Sequence, residues 1–413
     1  MALAGRGFWS LFTLVAEIGT ERRGEQKNQT MVFIIISTFI SLYGLIHYYV
    51  YRKIILVVPF GHWVIAACLA LLVLAPLAVI ILTRVGITTL TTPLAWVGYT
   101  WMGFVFLFFS CSLALDVLGL IGKAGARLWP ALSNPLPWPW PQAAVIVAAL
   151  AALGATGYGF FAARQINLEW VRIPTSKLPA SSKPFRIVQI TDLHLGLLTD
   201  EDYVRRMARA IQSVEPDVIV STGDLMDMQA DHLERFAPIF EALKPPLGKY
   251  AVTGNHEAYV GLGHARAFSE RAGFTPLSYE EAKVNEWITL VGVDDPAVRN
   301  RVQIDAGSER EALASSSKAA FTVLLKHQPV VDKVSIPLFD LQLSGHTHGG
   351  QIFPFSLLSK IVYPAKWGLT RLDQDTWLYV SRGTGTWGPP IRFLAPPEIT
   401  VIEVRPRASR PPS

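Results

Sequence analysis

Two hydrophobic patterns divide the chain, and the change falls near residue 165. Before it, four long stretches are apolar on every face: 31–51, 63–82, 93–120 and 143–163. Each approaches or exceeds the roughly 20 residues an α-helix needs to cross a bilayer. The first, second and fourth hold no Asp, Glu, Lys or Arg; the third holds Asp116 near its end. Asp116 reads either as an interfacial residue or as a functional intramembrane acid. From Phe185 onward short β-branched runs alternate with amphipathic segments. The pattern predicts strands over 185–191, 217–222, 249–253, 288–293, 321–326, 341–344, 377–381 and 399–404, with helices over 200–214 and 232–243. Continuous apolar runs such as Val218–Val220 suit strands buried on both faces, so this part is expected to be a layered α/β domain.

The segments around the apolar stretches suggest a topology. Residues 1–30 mix Glu17, Glu21 and Glu25 with Arg22, Arg23 and Lys27, which suits an interfacial helix better than a cleavable signal. Tyr48, Tyr49, Tyr51, Trp63, Trp138 and Trp140 sit at expected interfaces, and residues 135–141 alternate Pro and Trp as a stiff headgroup-level loop. With four spans, Arg6, Arg22, Arg23, Lys27, Arg84, Arg164, Arg172, Lys177 and Lys183 share one side. Arg52, Lys53, Lys123 and Arg127 lie on the other. The positive-inside rule then expects a multi-pass integral membrane protein with its C-terminal domain in the cytoplasm.

Composition agrees with this division. Hydrophobic residues make up 51% of the 413 and charged residues only 17%, low for a soluble chain. The net charge of +5 does not point to nucleic acid, because many of the basic residues flank apolar segments and none form a run of five. The two cysteines, Cys68 and Cys111, lie in the apolar half. A metal in the C-terminal half would therefore be held by oxygen and nitrogen. Nothing in the pattern speaks to oligomeric state.

Polar residues gather after the predicted strands. They read Thr191-Asp-Leu-His194, Gly223-Asp-Leu-Met-Asp227, Gly254-Asn-His-Glu257, His327-Gln-Pro329 and Gly345-His-Thr-His-Gly-Gly-Gln351. Ligand sites of open α/β sheets lie beyond the carboxyl ends of strands, so five segments converge on one place. Carboxylate, amide oxygen and imidazole suit two divalent cations, Mn, Fe or Zn, with Mn favoured. On a continuing strand the period-two spacing of Asp192 with His194, and of His346 with His348, would aim both side chains one way.

This ordered set resembles the calcineurin-like metallophosphoesterase superfamily, and Ser344–Gln351 followed by apolar residues is similar to its membrane-associated branch. The resemblance covers roughly 165–405. It implies an N-terminal transmembrane bundle over 1–164, a layered α/β/β/α sandwich over 165–405 and a tail over 406–413. It implies that Asp192, His194, Asp224 and His348 hold one metal and that Asp224 bridges to a second completed by Asn255, His327 and His346. His256 would protonate the leaving group or at least donate to the phosphate, and Asp227 would support the turn and His256 rather than bind metal. Many relatives carry an Arg where this chain has Met228, so no phosphate-gripping arginine is expected there.

The implied function is hydrolysis of a phosphodiester, phosphomonoester or pyrophosphate by a metal-bridged hydroxide at a membrane surface. Tethering favours a lipid-linked phosphate ester. The alternative is a catalytically silent membrane scaffold that keeps the fold. Residues 352–364 are apolar and read either as a helix packed on the domain core or as a lip toward the bilayer or an acyl chain. Arg382 and Arg392, in a glycine-rich segment, read either as phosphate contacts or as an ordinary loop.

Overall fold

A computed structural model describes residues 25–128, 141–227, 233–302 and 308–407. Most of the expected interfacial N-terminal helix, residues 135–140 of the Pro–Trp loop, Met228, the start of the 232–243 helix and most of the tail lie outside the described residues. Contacts divide the chain into two units, with the first long boundary between Ala162 and Ala163.

The first unit is helical: α1 (Glu25–Val57), α2 (His62–Arg84), α3 (Thr88–Leu128) and α4 (Pro141–Ala162). The helices fall on the four apolar stretches, and α4 stops one residue short of the expected end. Among the described residues, His62–Thr83, Thr89–Leu128 and Pro141–Ala162 are long and apolar enough to cross a membrane. Two polar groupings of this unit are matched internally. Lys53 Nζ lies 2.6 Å from Asp116 Oδ1, and Tyr49 donates to Asp116 Oδ2 at 2.6 Å, tying α1 to α3. Asp116 is therefore a paired charge. Buried His47 has Nδ1 2.8 Å from the Tyr43 carbonyl, and its Nε2 accepts from Trp101 Nε1 at 2.8 Å.

Two short pieces from far along the chain complete this unit: Ile352–Pro354 and Gly388–Phe393. Ile352 and Ile391 join Val105, Phe108, Val145 and Ala148 in its core. A Cβ on Gly159 would lie 2.4 Å from Ile391 Cγ2, so only glycine admits this approach. The Gly159 carbonyl accepts from Arg392 N at 2.9 Å, and the Phe393 carbonyl accepts from Phe353 N at 3.0 Å.

The second unit holds twelve strands among its described residues. They are β1 (Leu168–Thr175), β2 (Phe185–Ile190), β3 (Val218–Ser221), β4 (Lys249–Ala251), β5 (Thr275–Pro276) and β6 (Glu280–Lys283). Then come β7 (Ile288–Gly292), β8 (Phe321–Leu325), β9 (Leu341–Ser344), β10 (Gly368–Arg371), β11 (Trp377–Val380) and β12 (Ile399–Pro406). Its helices are α5 (Glu201–Ser213), α6 (Ala237–Glu241), α7 (Asn255–Val260), α8 (Leu262–Arg271), α9 (Pro296–Val302), α10 (Glu309–Ala314) and α11 (Phe355–Val362). One sheet has the order β1-β12-β2-β3-β4-β5 and the other β10-β11-β9-β8-β7-β6.

Strand alternation builds the layers. Ile187, Val218 and Val220 face Leu290, Val323 and Leu343 across the sandwich. Val188 and Ile219 point the other way, against Met207, Phe240 and Phe268 of α5, α6 and α8. On the far face of the second sheet, Val291 and Leu324 pack on Ala312 and Leu313 of α10. The architecture is thus α/β/β/α, as the resemblance implies.

The expected 232–243 helix is broken in the structure. A 3₁₀ turn covers Leu233–Arg235, and α6 begins anew at Ala237 with Pro238 in its first turn. Proline lacks an N–H and suits a helix start but not an interior. Strands β1, β6 and β10 escape the pattern because charged residues interrupt them: β1 buries only Val171, Ile173 and Thr175, and β6 and β10 bury no residue fully.

Candidate metal centre

Strands β2, β3 and β4 run parallel, as do β8 and β9. Their carboxyl ends deliver Asp192 and His194, Asp224 and Asp227, Asn255 and His256, His327, and His346 and His348. The structure brings all nine together. Asp192 Oδ1 lies 3.4 Å from His348 Nε2, which is 3.0 Å from His194 Nε2. His194 Nε2 is 3.7 Å from Asp224 Oδ2, and the same oxygen is 3.2 Å from His327 Nε2. His327 Nε2 is also 3.2 Å from Asn255 Oδ1 and 3.1 Å from His346 Nδ1. His256 donates its backbone N–H to Asp224 Oδ1 at 2.8 Å, and its Nδ1 lies 3.2 Å from Asp227 Oδ1.

The local backbone differs from a continuing strand. Strand β2 stops at Ile190 and β9 at Ser344. Asp192, His194, Asp224, His346 and His348 all have positive φ, between 49° and 69°. Residues other than glycine rarely adopt that region, and they keep it only where the surroundings over-determine it. Each pair therefore converges through left-handed turns rather than through strand alternation. The fixings are visible: Asp192 N donates to the Gly223 carbonyl, His194 N to that of Asp224, and His346 N to both oxygens of Asp192.

These residues fit a pair of divalent cations. His327 Nδ1 lies 2.8 Å from the Thr222 carbonyl, which can only accept, so Nδ1 carries a hydrogen. Its Nε2 then turns toward Asp224 Oδ2 and Asn255 Oδ1. A buried set dominated by acceptors demands positive charge. Among the described residues, three groups of side chains come close enough to hold an ion: Asp192 with His194 and His348, Asp224 with His327 and His346, and His194 with Asp227 and His256. Asp224 Oδ2 reaches toward the first two.

The protonation states match. Burial, with His256 adding to it, pushes His194 down to about 3. Burial and then His327 push His346 down to about 3. Both are neutral lone-pair donors at physiological pH. Burial raises Asp192 to about 6. Burial alone would lower His327, but Asp224 outweighs it and holds the imidazole well above its ordinary value. For His256, burial also lowers, while Asp224, Asp227 and Glu257 raise, and the net direction is upward.

Two supporting residues had no assigned role in the sequence. Buried Glu257 accepts from Asp224 N at 2.9 Å, Leu225 N at 2.8 Å and Gly254 N at 2.7 Å. It thereby clamps the loop after β3 to the loop after β4. Its place in the Gly-Asn-His-Glu run was the available signal. Tyr363 Oη lies 2.9 Å from His346 Nε2 and donates to Gln328 Oε1 at 3.3 Å; Gln328 Nε2 in turn donates to Asp295 Oδ2 at 2.8 Å. Nothing in the local sequence marks Tyr363. Of the two arginines, Arg382 has Nε 2.7 Å from Glu398 Oε2 and a terminal nitrogen 3.3 Å from Glu169 Oε2, so its charge is matched. Arg392 is fully buried and belongs to the helical unit.

The sequence profile of the calcineurin-like phosphoesterases matches residues 185–350. A metallophosphoesterase of Aquifex aeolicus (strain VF5) is 36% identical over 242 residues, covering 58% of this chain and 92% of that protein. The chain is a calcineurin-like metallophosphoesterase. The family performs metal-dependent hydrolysis of phosphoesters and uses a dinuclear centre. A Bacillus subtilis (strain 168) metallophosphoesterase is 32% identical over 281 residues, covering 63% of this chain and 94% of that protein. The zebrafish (Danio rerio) relative is named transmembrane protein with metallophosphoesterase domain. It is 34% identical over 274 residues, covering 64% of this metallophosphoesterase and 62% of its own length. The chain thus spans less than two thirds of that relative. In this metallophosphoesterase three of the described helices are long and apolar enough to cross a membrane, which suggests membrane association.

Glu257→Ala strips the acceptor from three backbone N–H groups, at about 1–3 kcal/mol for each left unsatisfied. The detergent-solubilised variant should melt earlier and bind less metal, with Glu257→Gln intermediate; a melting scan with elemental analysis checks this. His327 has a raised pKa, so at neutral pH the metal-free centre holds a proton there, and a cation must displace it. Metal affinity should therefore rise with pH, and titration calorimetry of Mn in buffers of different ionisation enthalpy should show release of about one proton.

Proposed function

We propose that the chain is a membrane-tethered hydrolase of phosphodiester, phosphomonoester or pyrophosphate bonds, working with two divalent ions, Mn favoured. The observation that carries this reading is the convergence of His194, His327, His348 and Asp192 around Asp224, with acceptor atoms facing one another at 3.0–3.7 Å. Asp192, His194, Asp224 and His348 would hold one ion. Asp224, Asn255, His327 and His346 would hold the other. When bound, such a pair activates water and stabilises negative charge on phosphoryl oxygens.

The chain's own residues supply the rest. Asp224 joins the two clusters through Oδ2 while Oδ1 is spent on His256 N, so its carboxylate is fixed at both ends. His256 acts as the proton donor to the leaving group. Its Nδ1 is turned to Asp227, which supports the protonated ring and leaves Nε2 for the departing oxygen. The raised pKa of His256 favours a proton held at neutral pH. Bound cations would draw it back down, toward the range where donation is efficient. Tyr363 and Thr222 orient His346 and His327 from the side away from the cluster.

Location argues for the substrate. Four helices tether the domain, which favours a lipid-linked phosphate ester or pyrophosphate over a soluble one. On the positive-inside rule the hydrolase domain lies in the cytoplasm.

The test is hydrolysis of bis-p-nitrophenyl phosphate and p-nitrophenyl phosphate by the purified full chain, with metal content measured alongside. Asp224→Ala should lose both metals and all turnover. His256→Ala should keep its metal and slow turnover by about 10²–10⁴-fold, most with poor leaving groups. Two bound metals and no turnover in the wild type, on these esters and on lipid-linked phosphates, would instead mark a silent scaffold.

A further inference from the structure

Helix α11 is amphipathic with its sides reversed. Ser356 and Ser359 are buried, while Leu357, Leu358, Ile361 and Val362 are exposed, Ile361 to 77%. The reason is steric. The Ser356 Cα occupies the space of a Gly350 side chain, 2.3 Å from where that Cβ would stand. Only small residues can press against the metal-ligand turn His348–Gly350, so the serine face goes inward and the large residues are left outward. Leu369 and Trp367, the latter beneath Lys360 Nζ at 4.9 Å from its ring, are likewise exposed. Between Ile352 and Leu372 stand Lys360, Lys366 and Arg371 and no acidic residue.

The position of this helix along the chain is informative. Its first residue, Phe355, directly follows Pro354, which belongs to the helical unit. In that unit Phe353 N is bonded to the Phe393 carbonyl, and Arg392 N to the carbonyl of Gly159, three residues before α4 ends. Tyr158 and Phe393 meet edge to face there, at 6.2 Å between centroids. Aromatic rings concentrate where a membrane span leaves the hydrocarbon. By connectivity, α11 follows directly on a stretch that packs within the unit of membrane-spanning candidates.

We infer that α11 is an interfacial helix whose Leu357–Leu358–Ile361–Val362 face sits in the headgroup layer of an anionic bilayer. Apolar burial holds it, and the surrounding lysines and arginine meet lipid phosphate. Tyr363, the next residue, touches His346, so the lipid contact lies one residue from the candidate metal centre. The inference does not rest on catalysis.

The test uses the full chain with Cys68→Ser and Cys111→Ser, reconstituted in nanodiscs of phosphatidylcholine with phosphatidylglycerol. Ile361→Cys and, independently, Leu358→Cys carry a nitroxide spin label, and Glu286→Cys is the aqueous control. Power saturation should show both α11 labels more accessible to oxygen and less accessible to a water-soluble nickel chelate than the control. The depth should decrease in discs of phosphatidylcholine alone. Labels as open to the chelate as Glu286→Cys would overturn the inference. So would immobilised labels closed to both reagents, since another protein surface would then cover the helix. Equal depth in both lipids would overturn the electrostatic part.

Discussion

The hydrolase unit is organised around a single electrostatic demand. Asp224 Oδ2, three imidazole nitrogens and Asn255 Oδ1 crowd together where water is largely excluded. Lone pairs that face one another at 3.0–3.7 Å away from water find no donor among themselves. Such a cluster is tolerable only when positive charge is shared among its members. A proton on His327 meets part of that need, and divalent cations meet it fully. The cost appears in the backbone, where Asp192, His194, Asp224, His346 and His348 adopt left-handed conformations and four of them are pinned by Glu257, by the Gly223 and Asp224 carbonyls and by the carboxylate of Asp192. The two sheets serve as a rigid frame against which those turns are braced.

Much of this was legible in the sequence because strand ends are marked by abrupt changes of residue type. Asp192, Asp224, Asn255, His327 and His346 each follow an apolar run, and the topology of parallel strands carries them to one edge. The route of convergence was not legible. Strand alternation suggested that Asp192 and His194 share a face, whereas β2 ends before either and both turn through positive φ. Glu257 stood in a recognisable motif, yet its task depends on amides of a loop some thirty residues away. Tyr363 lies in an apolar segment with no polar pattern, so only the folded chain reveals its bond to His346. Weakly apolar edge strands such as β6 and β10, and the break at Pro238, were hidden because local propensity yields there to pairing and proline geometry.

The helical part follows a different logic. Its charges are few, Lys53 and Asp116 are paired, and close contacts such as that of Gly159 with Ile391 depend on small residues. In an apolar solvent, association relies on packing and on satisfied polar groups rather than on hydrophobic contrast. The same preference for small residues recurs at α11, where serines face the protein and leucines face out. Both places bring large apolar side chains outward, the reverse of a water-soluble surface.

The two returning pieces, Ile352–Pro354 and Gly388–Phe393, have a consequence for biogenesis. Helices α1 to α4 leave the ribosome early, but the isoleucine that closes their core against Gly159 is translated only after nearly all of the hydrolase domain. The core of the helical unit is therefore complete only once that isoleucine has been made. Contacts of such long sequence separation form late. Completion of the helical unit is thus timed by the last stretch of the polypeptide, and a ribosome that stalls before residue 391 would leave its core unfinished.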